Sequence, residues 1–487
     1  MKNLMTIAVA SCLTVTAAIA QSSQQSMPGM DMSQHDMSNM QNAANHTSQQ
    51  PENPTLHTGA SLPAPELLQE VTSRPAKNLS EFIQLADANN PTLKQAAAIV
   101  RRSAAQAKQA GLYPNPSIGY QGEQIRGGSF GGGEHGAYIA QSIVLGGKLG
   151  LRRNIYEQQK RSDEAAAEAQ VDRVHGDVTQ AFYKTLAAQE AVVVQRRLLK
   201  LSIDAVETVH QLANVGQSDA PDVLQSEVEA EQAKIDYANA QRNFLQNFRM
   251  LAAVTGQPNL AIGPLDGALD AIPNIDTDHI VETMIQNSPS VKQAQLEITV
   301  AEAALKDAHR ESIPDLQLKA GEQYNFETVS VFPTKAAGPQ SFASVSMNVP
   351  IWNRNQGAKQ AAEIDIDRAQ QELERVKLSL HHQAQPLVQT YLSSKFEADR
   401  YRTQLIPRAT QAYQLYLQKY QSMAAAYPQV LVSQRTLFHL QASYIQALSS
   451  VWQNAIALQH YTLKGGLETQ PVVTSAPDIS SNNGGIE

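Results

Sequence analysis

This 487-residue chain is poor in cysteine, in aromatic residues and in long apolar runs. Its one cysteine, Cys12, lies in an apolar N-terminal segment, and removal of that segment would exclude disulfides, thiolate zinc sites and cysteine catalysis. Aromatic residues make up only 6% of the chain, and long stretches rich in alanine and glutamine indicate long helices. The formal net charge of −8 provides no basic footprint for nucleic acid. No later apolar run approaches the length of a spanning helix, so any membrane crossing would require a β-barrel.

The N-terminus has the features of a secretory signal peptide. Lys2 precedes an apolar run over residues 4–17, and the small-x-small pattern of residues 18–20 provides a cleavage site. These features predict a signal peptide over residues 1–20. An alternative is lipidation of Cys12, because the preceding Val-Ala-Ser loosely resembles a lipobox. The apolar run continues past Cys12, which favours cleavage after residue 20.

The next segment, residues 21–77, is rich in serine, glutamine and asparagine and is predicted to be disordered. It contains five of the 11 methionines. Thioethers with imidazoles are soft ligands that suit Cu(I) and Ag(I), so this methionine-rich tail is predicted to bind one of these ions. The predicted ligands are Met27, Met30, Met32, His35, Met37, Met40 and His46. The alternative is a simple tether, and no other cofactor is predicted.

The rest of the chain contains an internal duplication. The segment Asn89–Ala96 recurs 198 residues later as Asn287–Ala294, and Pro221–Ser226 recurs 207 residues later as Pro428–Ser433. Two matches in the same order indicate a repeat rather than chance. The predicted domains are a first repeat, a second repeat and a C-terminal tail, over residues 78–270, 271–465 and 466–487.

Each repeat is predicted to contain a helix, two strands and a long helical hairpin. Apolar and polar residues alternate in the strands, most clearly at Leu316, Leu318, Ala320, Tyr324 and Phe326, as in strands that separate water from lipid or core. In the hairpin helices, apolar residues follow 3-4 spacing, which is typical of a coiled coil. The predicted helices are 79–112, 149–214 and 221–255, then 279–311, 356–421 and 427–463, with kinks at Pro386 and Pro407.

Four strands per chain cannot close a transmembrane barrel, since about eight are the minimum. The chain must therefore oligomerise if it spans a membrane. Two copies would give eight strands with an interior largely filled by side chains, and three would give twelve strands and a lumen. The first long helix would reach about 100 Å at about 1.5 Å per residue, enough to continue the bore through an aqueous compartment. The predicted fold class is a mixed α/β membrane protein: an oligomeric β-barrel with four strands per chain, 12-stranded if it is trimeric, continued by a long α-helical coiled-coil barrel.

Several motifs occur in an order that carries a family resemblance. They are Asn90-Pro91 before an alanine-rich helix, QSIVLGGK at 141–148, VPIW at 349–352, the turn at 215–224, and TGQP at 255–258. With this set, residues 79–463 resemble the TolC-like outer membrane factor family, in its heavy-metal branch. The resemblance implies a homotrimer in Gram-negative outer-membrane lipid that extends into the periplasm. It also implies a periplasmic adaptor and an inner-membrane RND-type pump as partners.

The turn between the first pair of long helices is the predicted periplasmic gate. Asp219 and Asp222 would form a ring of carboxylates around a narrow mouth when repeated by symmetry. The alternative is that Asp219 caps the following helix and Asp222 compensates its dipole. The residues predicted for the gate and for adaptor contact are Val215, Gly216, Asp219, Pro221, Asp222 and Pro428. The second turn, residues 421–427, lacks a glycine like Gly216, which weakens adaptor docking there.

The predicted function is the outer-membrane channel of a tripartite efflux system that exports heavy-metal ions, with copper or silver favoured. No HExxH, GxSxG or compact cluster of His, Asp and Glu is present in the sequence, so no enzyme is predicted. A drug-efflux or protein-secretion duct remains an alternative. A periplasmic adaptor or structural coiled coil is a rival interpretation from another class, because long helical hairpins occur there too.

Overall fold

In the computed structural model, residues 75–125, 132–328, 336–422, 424 and 427–468 are described. The predicted signal peptide with Cys12, the methionine-rich tail up to residue 74 and the predicted C-terminal tail from residue 469 lie outside the described residues. The elements of the first repeat are α1 (Leu79–Asn89), α2 (Pro91–Ala110), β1 (Ser117–Glu123), β2 (Glu134–Ile143), α3 (Lys148–Asn214) and α4 (Ala220–Val254). Those of the second are α5 (Ile280–Asn287), α6 (Pro289–Arg310), β3 (Leu316–Thr328), β4 (Ala336–Met347), α7 (Gln356–Arg400), a π-helical turn (Tyr401–Leu405), α8 (Ile406–Gln421) and α9 (Tyr427–Gln459). The predicted duplication in the order of elements is confirmed.

The first helix of each repeat is divided in two, so the prediction of one continuous helix over 79–112 and over 279–311 is wrong. The breaks fall at Asn90 and Ser288, whose backbones are extended, with ψ angles of 123° and 126°. Each residue precedes a proline, and the proline ring disfavours the helical conformation of the residue before it. The same prolines then occupy the first turn of α2 and α6, where a missing N–H is tolerated.

Helix α3 is the longest element, with 67 residues, and it packs against helices of both repeats. It forms a hairpin with α4, and α9 lies against α3 as well as against α7 and α8. The long helices are therefore arranged in the order α4, α3, α9 and α7–α8. No helix in the described residues is both long enough and apolar enough to cross a membrane.

The two prolines predicted to kink the second hairpin behave differently. Pro386 lies inside α7, which continues to Arg400. Pro407 follows the π-helical turn Tyr401–Leu405, where one wider turn interrupts the α-helical pattern. Proline lacks the N–H that an α-helix needs, and the widened turn before it accommodates this loss.

The four strands form one antiparallel sheet in the order β1-β2-β3-β4. Ser117 faces Ala140, which faces Lys319, which faces Ser344. The strands of both repeats thus join in one sheet, with β2 and β3 at its centre. Each strand pair leads directly into a long helix, so the sheet stands at one end of the helical hairpins.

The hydrophobic core lies between the helices of both repeats. The Phe82 ring lies 5.8 Å from Phe182 and 6.3 Å from Phe248, measured between centroids, and all three are almost completely buried. In the second repeat, the Tyr391 hydroxyl donates to the carbonyl of Pro273 at 2.6 Å, and Trp452 Nε1 donates to that of Leu269 at 2.8 Å. The connection between the repeats is held against the core by these two hydrogen bonds.

Asn90 ties the start of α2 to the end of the first hairpin. Its Oδ1 accepts from the Thr92 amide at 2.9 Å, which caps α2. Its Nδ2 donates to the Val254 carbonyl at 2.9 Å, and the residue is fully buried. Asn90 thus hydrogen-bonds a backbone amide at the start of α2 and a backbone carbonyl at the end of α4. These two bonds explain why an asparagine precedes Pro91.

Candidate functional site

The sheet has one apolar face and one polar face. Residues directly opposite each other on neighbouring strands point to the same side. The apolar face carries Ile118, Ile139 and Val345, whose side chains are 78%, 57% and 67% exposed in the single chain. The opposite face carries mostly glycine, serine, glutamine and asparagine, with Lys319 toward the end that joins the helices and Tyr138 and Phe342 in the next row. Exposed apolar side chains on one side and polar ones on the other are typical of a strand layer between lipid and water.

Both edges of the sheet are open. Among the described residues, β1 pairs only with β2 and β4 pairs only with β3. An open edge presents unpaired backbone N–H and C=O groups that can pair with another chain. The two edges can therefore meet between copies of the chain.

The helical layer has two matching open flanks. On α4, the exposed apolar residues are Leu224, Val228 and Ile235, and on α7 and α8 they are Leu378, Phe396 and Leu415. Helix α4 packs chiefly against α3, and α7 and α8 pack against α9, which leaves these side chains on the outer flanks. Sheet and helices thus expose apolar or unpaired surface on the same two sides of the chain.

A cluster of charged residues joins the sheet to the helices, here called the junction cluster: Lys148, Arg152, Asp307, Glu311 and Asp315. The Lys148 ammonium is almost fully buried and lies 2.7 Å from Asp315 Oδ1 and 3.0 Å from the Ile313 carbonyl. Arg152 binds both Glu311 oxygens at 3.1 Å. These pairs fix the start of α3 against the end of α6, at the transition from strand to helix.

Asp307 is the member of the junction cluster whose negative charge is disfavoured by burial. Its Oδ1 is buried and has no hydrogen-bond partner in the described part of the chain. Burial raises the pKa of Asp307 to about 6, since desolvation outweighs the attraction of Arg152, and the negative charge of Glu311 adds to the rise. No local sequence pattern predicts this cluster, because its members belong to different repeats.

The turn at the far end of the first hairpin, residues 215–219, here called the first tip, is a helix-capping structure. Gly216 has a φ of +75°, and its N–H and that of Gln217 donate back to the last turn of α3, which ends the helix in a Schellman-type arrangement. Asp219 Oδ1 accepts from the Asp222 amide at 3.3 Å as the N-cap of α4. Val215 and Asp219 are exposed, and Pro221 occupies the first turn of α4. Asp219 therefore has the capping role that the sequence allowed.

The turn at the far end of the second hairpin, residues 421–427, is here called the second tip, and residues beside it lie close to the first hairpin. Among its residues, 423, 425 and 426 lie outside those described. The rings of Tyr420 and Tyr427 lie 5.6 Å apart, and Pro428 follows in the first turn of α9. Burial raises the pKa of Tyr427 to about 12, and the charges of Tyr420, Tyr413 and Asp222 add to it.

An ion pair also links the two hairpins near their tips. Arg435 on α9 contacts Glu229 on α4. The Tyr420 hydroxyl is buried and lacks a hydrogen-bond partner among the described residues. Tyr420, Tyr427 and Arg435 were not predicted from the sequence, because the one signal there was the recurrence of Pro221–Ser226 at Pro428–Ser433.

The predicted metal ligands cannot be placed, because Met27 to His46 lie outside the described residues. Within the described residues, no group of three or more His, Cys, Asp or Glu is arranged to hold a metal ion. The described surface has a sheet with one mainly apolar and one mainly polar face, open flanks on both sides, and two hairpin tips close together. This arrangement suits the wall of a conduit.

Comparison with known proteins agrees with this geometry. The profile of the family "Outer membrane efflux protein" matches residues 82–257 and 280–462. The cobalt-zinc-cadmium resistance protein CzcC of Cupriavidus metallidurans is 24% identical over 380 residues, which cover 78% of this chain and 88% of CzcC. The nickel-cobalt-cadmium resistance protein NccC of Alcaligenes xylosoxydans xylosoxydans is 23% identical over 303 residues, 61% of this chain and 67% of NccC.

A solved structure of CusC, described in terms of folding and transmembrane channel formation, shares the fold. The TM-score is 0.63 at 18% sequence identity, and the match covers 86% of this chain and 99% of CusC. The predicted architecture of four strands per chain with long helical hairpins in two repeats is confirmed by the structure and by this likeness.

Proposed function

The chain belongs to the outer membrane efflux protein family, and from this premise we propose that it is the outer-membrane conduit of a tripartite exporter of heavy-metal ions. The observation that carries the proposal is the four-stranded sheet, apolar on one face and open at both edges, which leads directly into two long helical hairpins. The chain lies in the outer membrane and extends into the periplasm. No catalytic role is assigned to it.

We propose that three copies assemble head to tail. The open edge of β1 would pair with β4 of the next copy, giving twelve strands and a lumen. The apolar residues on the α4 flank would pack against those on α7 and α8 of the neighbour and continue the wall through the periplasm. Crosslinking of cysteines placed at Leu224 and Leu415 in intact cells would test this arrangement, and a failure to form covalent oligomers with paired cysteines would contradict it.

The cargo proposed is a heavy-metal ion. The names of CzcC and NccC refer to resistance to cobalt, zinc, cadmium and nickel, which supports metal export in general. The methionine-rich tail favours copper or silver within that class, since thioethers prefer soft monovalent ions. Deletion of the gene should sensitise cells to copper or silver, measured beside cobalt, zinc and cadmium. Unchanged metal tolerance with new sensitivity to dyes or drugs would favour the drug-efflux alternative.

The tail is proposed to bind Cu(I) independently of the conduit. A peptide of residues 21–50 should compete with a Cu(I) chelator, and replacement of its five methionines by leucine should abolish the competition. The leucine peptide is the matched control, because it keeps the length and the histidines. A wild-type peptide that does not compete would make the tail a tether.

The tips are proposed to contact a periplasmic adaptor that connects the conduit to an inner-membrane RND-type pump. The exposed Val215, Gly216 and Asp219 of the first tip, with Pro221 beside them and Pro428 in the second hairpin, would form this surface. Asp219 and Asp222 would also present carboxylates to a narrow mouth in the assembled trimer. The Asp219→Asn, Asp222→Asn double variant keeps a capping side chain and removes both charges. Unchanged conductance and cation selectivity in bilayers would leave only the capping role.

The rival interpretation, an adaptor or a structural coiled coil, fits the chain less well. An adaptor would need one hairpin inserted in a compact β-domain, whereas the described part of this chain has two hairpins and four strands in one sheet. Cell fractionation distinguishes the two. Recovery with the inner membrane or in the soluble periplasm would refute the outer-membrane conduit.

A further inference from the structure

The polar face of the sheet has a further role, which rests on the proposed function. Lipid contacts the face that carries Ile118 and Val345, so the opposite face lines the lumen once the sheet closes between copies. Within the part of the sheet that has continuous register, up to Asn325 on β3, the charged residues on this inner face are Glu123, Glu134 and Lys319. Lys319 is the cation among them, and its surroundings are unlike those of the two glutamates.

A row of alternating glycine and aromatic residues crosses the sheet beside Lys319. Gly119 on β1 faces Tyr138, which faces Gly321, which faces Phe342 on β4. A Cβ at Gly119 would lie 2.6 Å from the Tyr138 ring, and one at Gly321 would lie 2.7 Å from Phe342. Each ring therefore lies flat over the neighbouring glycine. A side chain at either glycine would lift a ring into the lumen.

The Lys319 ammonium lies against this row. Its Nζ is 4.1 Å from the centroid of the Tyr138 ring and 5.8 Å from that of Phe342. Such contacts hold a cation over the aromatic face. The directly opposite residues, Ala140 and Ser344, are small and uncharged, and no ion pair of Lys319 occurs within the described residues. The charge is thus fixed in position and not neutralised by a carboxylate.

The two glutamates of the inner face lie at the other end of the sheet. Glu123 and Glu134 are cross-strand partners next to the loop end, and Glu134 accepts from Asn325 at 2.7 Å. Six residues separate Lys319 from Asn325 along β3, a distance of about 20 Å at about 3.3 Å per residue. This exceeds the Debye length of about 8 Å at physiological salt, so the glutamates do not cancel the lysine charge.

We propose that Lys319, held over Tyr138 on the inner face, forms a collar of three positive charges in the barrel lumen and determines its ion selectivity. In the symmetric trimer, each copy contributes one ammonium at the same height, near the helical end of the barrel. The collar disfavours small cations and favours anions at that level. Because it lies between the tips and the cell exterior, every ion that crosses the conduit passes it, and its electrostatic barrier acts equally on outward and inward movement.

Bilayer recordings of the purified full-length protein under a KCl gradient test the proposal. Replacement Lys319→Gln should raise the cation-to-anion permeability ratio roughly threefold, and the change should grow as ionic strength falls. The conservative Lys319→Arg should leave the ratio unchanged. Glu322→Gln, which removes a charge on the opposite face of the same strand, is the matched control and should also leave it unchanged.

A second variant keeps the test decisive if Lys319→Gln does not assemble. Ser344→Glu places a carboxylate directly opposite the lysine and should raise the ratio in the same direction. An unchanged ratio in conducting Lys319→Gln or Ser344→Glu channels, at low salt as well as high, would overturn the inference. A wild-type protein that forms no channels at all would instead contradict the proposed conduit, so the two failures are distinguishable.

Discussion

Asp307 of the junction cluster, whose buried Oδ1 has no hydrogen-bond partner in the described part of the chain, leads to a prediction about stability. Replacement Asp307→Asn keeps the size of the side chain and removes the charge that is poorly accommodated in the folded protein. Arg152 is not left unpaired by this change, because it binds both oxygens of Glu311. We therefore expect the variant to be more stable than the wild type near neutral pH.

The magnitude follows from the pKa of Asp307, which rises from 3.8 to about 6 on folding. At about 1.4 kcal/mol per unit, the full shift corresponds to about 3 kcal/mol at neutral pH. The group is still partly exposed, and solvent screening reduces this to about 1–2 kcal/mol per copy. A raised carboxyl pKa means that the folded protein binds the proton more tightly than the unfolded chain. The destabilisation is thus absent below about pH 4 and complete above about pH 6.

The assay is the unfolding transition of the detergent-solubilised protein, followed by circular dichroism at about pH 7.5 and about pH 4. Asp307→Asn should unfold at a higher temperature than the wild type at the first pH and at nearly the same temperature at the second. Glu302→Gln, an exposed site on the same helix, is the matched control and should show no pH-dependent difference. Equal or lower stability of Asp307→Asn at both pH values would refute the reasoning.

Three further predictions concern an ion pair between the hairpins, a hydrogen bond to the connection between the repeats, and a glycine that follows α4. Replacement Arg435→Glu reverses the charge and should loosen the tips and raise single-channel conductance. Adding Glu229→Arg should restore the wild-type conductance. No recovery in the double variant would argue against the ion pair. Tyr391→Phe leaves the partly buried carbonyl of Pro273 without its donor and should cost about 1 kcal/mol in chemical denaturation. An unchanged midpoint would show that the hydrogen bond is dispensable. Gly256→Ala should lower the free energy of unfolding by more than about 1 kcal/mol, because φ is +78° at this residue and a Cβ would lie 2.8 Å from backbone atoms of Asn89. A variant with wild-type stability would contradict that geometry.

The long helices and the strands could be predicted because their signals are local and repeated. A 3-4 pattern sustained over α3 leaves little ambiguity, and the alternation in β3 identifies its two faces. The helix breaks at Asn90 and Ser288 were not predicted, although the proline that follows each of them explains the break. The alanine-rich periodicity on both sides of each break is helical, and it obscured the effect of a single residue.

The junction cluster and the contacts between the tips could not be predicted in the same way. Lys148 and Asp315 belong to different repeats, and a periodic pattern identifies an apolar face but not the element that packs on it. The same applies to Glu229 and Arg435. At Asp219 the sequence allowed two roles, and the structure shows the capping bond, while the carboxylate ring depends on copies of the chain and stays a prediction.

The matching open flanks of the sheet and the helices also have a genetic consequence. In a head-to-tail ring, each copy uses a different flank toward each neighbour, so a chain with a defective lumen but sound flanks still enters the assembly. If such a chain is expressed equally with the wild type and mixes at random, only about one trimer in eight contains no altered copy. Mutations in the lumen should therefore be dominant, whereas mutations that destroy both flanks should be recessive, because those chains are excluded from the ring.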